Sequence, residues 1–375
     1  MTTNFPWDES RLVAPTTIHH LSIGERSILF CEARQQIYGL NSTADRIWRI
    51  LAEGGAPVEA RRELTDLRVS DDDARAFVQD ATLSWLQGGQ LAPQETLARL
   101  RQPADATRAL RIDELTVRLN FFGVAPDQAD AVFAQFAAAD KQATLKLSIV
   151  SCRGQIFLFE GDRPLGSCGA HEWIPRLKAV LTEHYAAAVS DAFLVHAAFL
   201  VRGRKGLLIS GAPGAGKTTL CVALARSGFE YQGDDIVRLE SGGRAAGTPF
   251  AACVKSGAWS LVALYAPEIA ELPVYRRGDG KDVRYLPMPP SDRRPRGIDV
   301  VLLLSRQPGA APAFEPVEPL EAFSTLLESA FSAKGAITAP ALKTFAKAIE
   351  AAASFRFAYS DIADAIKAVK GLANE

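Results

Sequence analysis

At 375 residues the chain exceeds one typical core, so two or three domains are expected, each large enough to bury its own interior. A formal net charge of −1 with 23% charged residues provides no broad basic field, which argues against general nucleic-acid binding. Five scattered cysteines (Cys31, Cys152, Cys168, Cys221 and Cys253) form no C-x-x-C pair and indicate neither a disulfide framework nor a zinc site.

Residues 1–13 lack a basic stretch followed by an apolar core, and later apolar runs stop short of the ~20 residues that a membrane helix needs. A soluble, cytoplasmic chain without a membrane partner is expected. Residues 19–23, 26–31 and 36–40 carry β-favouring side chains, with turns at Gly24 and at 32–35. Asn41 or Ser42 can cap a helix whose Ala44, Ile47, Trp48 and Leu51 form one apolar stripe, and Gly54 and Gly55 stop it. A second helix is predicted from near Pro57. A third follows Ser70, with Asp71, Asp72 and Asp73 in its first turn and Ala74, Phe77, Val78, Ala81, Leu83, Trp85 and Leu86 on its buried face; Gly88 and Gly89 end it.

Within this unit the run Gln36-Ile37-Tyr38-Gly39-Leu40-Asn41-Ser42-Thr43-Ala44, followed by Ile47-Trp48 and Leu51, resembles the PqqD family, and the likeness extends over most of residues 15–92. The resemblance implies a winged-helix-like domain that recognises the leader segment of a ribosomally made precursor peptide, the leader adding as a strand to the sheet edge. Ile37 and Tyr38 are then the candidate peptide contacts.

Residues 93–108 are polar, contain two prolines and read as a linker. Residues 109–190 mix strands over 115–122, 143–150 and 155–160 with helices over 126–139 and 173–189, and carry no chemistry that can be named.

The chemistry concentrates downstream. The run Gly211-Ala212-Pro213-Gly214-Ala215-Gly216-Lys217-Thr218-Thr219 lies between an apolar strand over 206–209 and a helix with Leu220, Ala223 and Leu224 on one face. This is the strand–loop–helix context of a P-loop. Glycines let backbone N–H groups turn toward phosphate oxygens, Lys217 offers a point charge to the β/γ-phosphates, and Thr218 a hydroxyl to Mg²⁺. ATP and Mg²⁺ are therefore the expected cofactors. Past the helix, Asp234 and Asp235 form an acidic pair; one carboxylate can hold Mg²⁺ and the other can accept the proton of an attacking hydroxyl. Upstream, His196 stands inside an apolar run over 193–201 that reads as one strand, joined by a short turn at 202–205 to the strand entering the glycine loop.

His196 lies 21 residues before Lys217 and Asp235 lies 18 after it, and in this order and spacing the segment resembles bacterial HPr kinases and their relatives. The likeness extends more loosely over 185–333, taking in Pro249, Phe250, Lys255 and a strand over 298–304. What it implies is a serine-directed protein or peptide kinase related to phosphoenolpyruvate carboxykinase. Its catalytic residues would be His196, Lys217 and Asp235, with Thr218 and Asp234 at the metal. Residues 248–260 contain no glutamate, so a second metal ligand is missing from its expected setting. Lys255, Arg276 and Arg277, with Arg284, are candidates to meet substrate or transferred phosphate.

The fold class expected is α/β and multi-domain: a P-loop kinase domain of the HPr kinase/PEP carboxykinase type over 191–375, preceded by a winged-helix-like PqqD domain. Residues 342–373 read as two amphipathic helices that pack on the kinase or mediate assembly, so a homo-oligomer is open. The combined reading is an ATP-dependent kinase that tailors a precursor peptide, as in lasso-peptide maturation. Three alternatives stay open at this stage. One is a non-catalytic ATP-binding peptide scaffold, another a small-molecule kinase. The third is a transporter-type ATPase, for which Ser241-Gly242-Gly243-Arg244 falls on the wrong side of the acidic strand.

Overall fold

A computed structural model describes residues 5–24, 26–139, 142–188, 193–240, 242–248, 250–289, 291–292, 294–331 and 337–374. Ser241 and Pro249, named above, and position 189, the end of an expected helix, lie outside the described residues. The architecture is mixed α/β with several sheets, and it divides into two compact units. One runs to Gln128 and resumes over 136–173; the other comprises 129–135 and 174–375. No described helix is long and apolar enough to cross a membrane.

In the first unit, strands Ile18–Ile23, Arg26–Cys31 and Gln36–Leu40 form an antiparallel sheet with Arg26–Cys31 in the middle. Helices Ser42–Ala52, Pro57–Asp66 and Asp71–Gly88 follow. Asn41 is the cap residue of the first: its side-chain oxygen accepts the Ala44 N–H at 2.8 Å, filling one of the donor positions a helix start leaves open. Gly89 ends the third helix in the left-handed region, at φ 74°. Trp48 meets Trp85 edge to face at 5.1 Å, and with Ile47, Leu51 and Leu86 they form the centre of the helical core.

One expectation about the third helix needs correction. Phe77 faces outward, and Thr82 takes a fully buried place on the inner face. Positions 74, 78, 82 and 85 follow the helical repeat, and 77 lies off that stripe whatever its hydrophobicity.

Residues 93–108, read as a linker, carry a helix, Gln94–Leu100, and the start of a strand, Ala106–Ile112. The two prolines flank that helix rather than interrupt it: Pro93 occupies its cap position. A five-stranded sheet then follows, ordered Arg163–Cys168, Gln155–Glu160, Leu145–Cys152, Leu115–Phe122, Ala106–Ile112. Phe122, Val150, Phe157 and Phe159 from this sheet join the same core as the helices, so residues 15–92 share their interior with the segment after them. The helix expected over 126–139 is shorter, Asp127–Phe133, and tightens into a 3₁₀ turn at Ala134–Phe136.

The second unit is built on a six-stranded sheet ordered Glu230–Gly233, Ala198–Arg202, Lys205–Ser210, Val300–Arg306, Ala353–Tyr359, Ala313–Pro316. Its three central strands, Lys205–Ser210, Val300–Arg306 and Ala353–Tyr359, run parallel, and ligands of such sheets bind beyond the carboxyl ends of the strands. The near-continuous apolar sequences of the first two suit strands covered on both faces: Leu302 and Leu304 pack with helix Lys217–Arg226, whereas Val301 and Leu303 pack with Phe345 and Ile349 on the other side.

The strand Ala353–Tyr359 corrects the reading of 342–373 as two helices alone. It lies between helices Ala339–Ala351 and Ile362–Asn374, where Phe355, Phe357 and Tyr359 alternate with smaller or polar side chains.

A second sheet, ordered Arg296–Gly297, Arg244–Gly247, Val237–Leu239, Phe193–Val195, Ala330–Phe331, stands beside the first. The apolar run over 193–201 is split between the two: Phe193–Val195 belongs to one sheet and Ala198–Arg202 to the other, with His196 and Ala197 in the bend. Its neighbour does the same. Glu230–Gly233 pairs with Ala198–Arg202, and Val237–Leu239 pairs with Phe193–Val195.

Removing the cap with Asn41→Ala is expected to destabilise the first unit by about 1 kcal/mol. Urea unfolding followed by tryptophan fluorescence reads it, since four of the five tryptophans (Trp7, Trp48, Trp85 and Trp173) lie in that unit. An unchanged midpoint would assign the cap no energetic role.

Candidate functional site

The loop over 211–216 leaves the carboxyl end of Lys205–Ser210 and enters helix Lys217–Arg226. Gly214 at φ 90° and Gly216 at φ 93° take backbone angles that side-chain-bearing residues rarely adopt. At Gly216 space is short as well, because a Cβ there would stand 2.8 Å from the Tyr359 hydroxyl. That hydroxyl donates to the Ala215 carbonyl at 3.3 Å, tying the loop to the sheet. Gly216 occupies the helix cap position and has no side chain to cap the N–H groups behind it, which suits that helix end to an anion. Ala212, Pro213 and Gly214 form the exposed crest, and Thr219 is buried beneath. The Lys217 ammonium donates to the Gly211 carbonyl at 2.6 Å. Burial, with the Lys255 charge nearby, pushes Lys217 below the ordinary lysine pKa.

His196, Asp234 and Asp235 arrive from the neighbouring strands. Both strands cross between sheets at the same level: Val195 pairs with Val237 on one side of the crossing and Phe199 with Gly233 on the other. The bends at 196–197 and 234–236 therefore face each other. His196 Nδ1 lies 3.3 Å from Asp235 Oδ1. The imidazole so reaches the acidic pair from a bend, not from within a strand as the sequence suggested.

Asp234 points inward and is buried; its Oδ1 accepts the Tyr231 hydroxyl at 2.7 Å, and Thr218 also hydrogen-bonds the carboxylate. Burial, reinforced by the Asp235 charge, raises the Asp234 pKa. Asp235 goes the other way. The Lys178 ammonium donates to its Oδ2 at 2.6 Å and, against the cost of burial, holds the carboxyl well below its usual range, with His196 adding to the effect. The two adjacent carboxylates thus have opposite tendencies, set by depth and partner.

Lys178 was missed from sequence. It lies on helix Trp173–Ala188 within the stripe Ile174, Leu177, Lys178, Leu181, Tyr185, all buried, and its ammonium stands 5.1 Å from the centre of the Phe250 ring. A lysine at an apolar repeat position was the available signal. It also sits upstream of 191, where the kinase-like segment was expected to begin.

The basic candidates separate. Lys255 acts on Lys217 through its charge and so lies near the loop. Arg277 hydrogen-bonds Cys253, which in turn feels the charges of Lys178, Asp234 and Asp235. Arg276 pairs with Asp282 at 3.5 Å on the exposed side of the small sheet Ala252–Lys255, Asp282–Leu286, Tyr275–Arg276. Arg284 lies over the Trp259 ring at 4.3 Å and donates to the Ile269 carbonyl, a packing role. In the other unit Ile37 is 66% exposed on edge strand Gln36–Leu40, and the Tyr38 hydroxyl donates to Gln36 at 2.6 Å.

Among the described residues no three His, Cys, Asp or Glu side chains gather to hold a metal. The donor set at Thr218 and Asp234 is a hydroxyl and a buried carboxylate whose charge burial disfavours. Such oxygen donors suit Mg²⁺, which keeps most of its waters and takes one or two protein groups, so the pair fits that ion without the absent glutamate.

No family model matches the chain, and no curated protein matches it. Among solved structures, one described as lasso peptide synthetase B1 complexed with the leader peptide is 21% identical, with a TM-score of 0.21, covering 22% of this chain and 100% of that chain. A second, TbiB1 in complex with the TbiA(beta) leader peptide, is 19% identical with a TM-score of 0.20, covering 21% and 93%. At TM-scores this low the likenesses decide neither fold nor function.

The ion pair makes an asymmetric prediction for stability. Asp235→Asn strands a buried ammonium and is expected to cost up to about 3 kcal/mol, the low end for a broken buried pair because Asp235 is partly exposed. Lys178→Met leaves the more exposed partner and should cost clearly less. Thermal unfolding of both variants decides; equal losses would remove the desolvation argument.

Proposed function

We propose that the chain is an ATP-dependent kinase that phosphorylates a hydroxyl, a serine side chain first, of a ribosomally synthesised precursor peptide whose leader is held by the first unit. The observation that carries the kinase reading is the His196–Asp235 contact beside an Asp234 that hydrogen-bonds Thr218, where the glycine loop enters its helix. A hydrolase or scaffold could use the loop alone. An imidazole against an ionised carboxylate beside it gives a place for an acceptor hydroxyl to lose its proton.

In this reading the N–H groups of 214–218 and the Lys217 ammonium, released from Gly211, receive the triphosphate. Thr218 and Asp234 would hold Mg²⁺, which when bound offsets phosphate charge. The acceptor oxygen forms the new bond to the γ-phosphorus as the bond to the β,γ-bridging oxygen breaks; ADP leaves with that electron pair, and the hydroxyl proton goes to Asp235. A carboxylate with a low pKa suits a loose transfer, where the proton departs late and positioning outweighs base strength. His196 orients the carboxylate from the exposed side.

The leader reading is supported by the edge strand Gln36–Leu40, which among the described residues pairs on one side only and carries the exposed Ile37. An added peptide strand would satisfy its free backbone groups. Leader capture raises the effective concentration of the core, so the kinase site need not grip the acceptor strongly. A cytoplasmic setting is consistent with the need for ATP.

Two measurements test the two halves. Lys217→Ala should reduce transfer of phosphate from ATP to a serine-containing precursor peptide, read by mass spectrometry, by about 1,000-fold, the loss expected for a main charge-stabilising group. Undiminished transfer would take the glycine loop out of the mechanism. Ile37→Glu should weaken binding of a fluorescent leader peptide about 10-fold or more, as a charge placed in an apolar contact does, and leave ATP affinity unchanged. Unaltered leader binding would move the peptide site away from this edge.

A further inference from the structure

Lys178 is an expensive residue where it stands. It is buried on the apolar stripe of helix Trp173–Ala188 with its ammonium near the Phe250 ring, and removing such a charge from water is strongly unfavourable until a partner offsets it. A leucine or methionine there would extend the stripe formed by Ile174, Leu177 and Leu181. Stability alone therefore gives no reason for a lysine, because buried pairs replaced by apolar side chains are often as stable or more so. What the lysine supplies is direction.

Asp235 sits in a bend, outside the strands on either side of it, so its backbone neighbours do not fix its side chain. Its two oxygens are divided: Oδ2 takes the Lys178 ammonium at 2.6 Å and Oδ1 faces His196 Nδ1 at 3.3 Å. The division follows depth. The Lys178 side chain is 10% exposed, that of Asp235 37% and that of His196 50%, so the three form a row from the core to the surface. Anchored from below, the carboxylate presents one oxygen outward, toward the open side of the site.

We infer that Lys178 is a positioning residue of the phosphotransfer site, which clamps Asp235 by one oxygen so that the other is held toward His196 and the acceptor hydroxyl. The inference rests on the kinase reading above and extends the working part of the site upstream, to a helix that the glycine-loop pattern does not include. In this role Lys178 needs no contact with nucleotide or acceptor. Its effect passes through the orientation of Asp235, and a misplacement of about 1 Å in such a group costs on the order of 100-fold in rate.

The test uses the full-length chain with Lys178→Met and Lys178→Arg. The Met variant keeps the length and apolar fit of the stem; the Arg variant keeps the charge. Three quantities are read: ADP release from Mg²⁺-ATP with a serine-containing precursor peptide as acceptor, affinity for a fluorescent N-methylanthraniloyl ATP, and the imidazole ¹⁵N resonances of His196 without nucleotide, assigned by His196→Gln. The expected result for Lys178→Met is a kcat lower by about 100-fold, with KM for ATP and fluorescent-nucleotide affinity changed by less than about 3-fold. The His196 resonances shift, and Lys178→Arg recovers at least part of both kcat and the resonance positions. Wild-type kcat in Lys178→Met overturns the inference. So does a parallel loss of nucleotide affinity, or an Arg variant no better than Met, either of which marks the pair as structural only. If the wild-type chain binds the fluorescent nucleotide but releases no ADP, the kinase reading itself fails, an outcome distinct from an active wild type that tolerates Lys178→Met.

Discussion

Two paired strands cross from one sheet to the next at the same level, and the candidate site is where they cross. Within a single sheet, successive side chains point to opposite faces, and His196 would be one more buried member of an apolar strand. The crossing breaks the ladder at 196–197 and at 234–236 together, since the strands on either side keep their pairing: Val195 with Val237, and Phe199 with Gly233. The freed bends bring His196 against Asp235 and set Asp234, one residue before it, within hydrogen-bond reach of Thr218 at the end of the glycine loop. Because the loop itself follows the next strand of the same sheet, the distance between these groups is set by strand spacing and not by long flexible connections.

The electrostatics of the site follow from depth along that crossing. Asp234 faces the core, where burial favours its neutral form and Tyr231 and Thr218 compensate. Asp235, one residue on, faces Lys178 and His196 and stays ionised. Burial, with the Lys255 charge, pushes Lys217 below the ordinary lysine pKa, toward its neutral form. Adjacent groups with diverging tendencies are what a site needs if one carboxylate is to meet a cation and its neighbour a hydroxyl. Arg276 and Arg284 are engaged elsewhere, one with an aspartate and the other with an indole face.

The first unit depends on local signals to a greater degree. Its three strands, the Asn41 cap, the Ser70 cap and the glycine stops were legible because each rests on neighbours within a few residues. What sequence did not reveal is that this segment shares a core with the sheet after it, through Phe122, Val150, Phe157 and Phe159. The two prolines around 93–108 suggested a break, yet they bracket a helix within one interior. Strands Ala106–Ile112 and Arg163–Cys168 were likewise unread, their polar and glycine-bearing sequences becoming strands only through the partners beside them.

The sequence by itself determined the strand–loop–helix around Lys217, the alternation and caps of the first unit, and the identities of His196, Asp234 and Asp235, because glycine geometry, capping and residue chemistry act over short stretches of chain. The tertiary structure alone decided that the run over 193–201 is two strands in two sheets, that Phe77 faces out, that 353–359 is a strand, and that Lys178 holds Asp235. Each of these is settled by a partner far away in the chain, and no local preference encodes the position of a partner that the fold has yet to bring near.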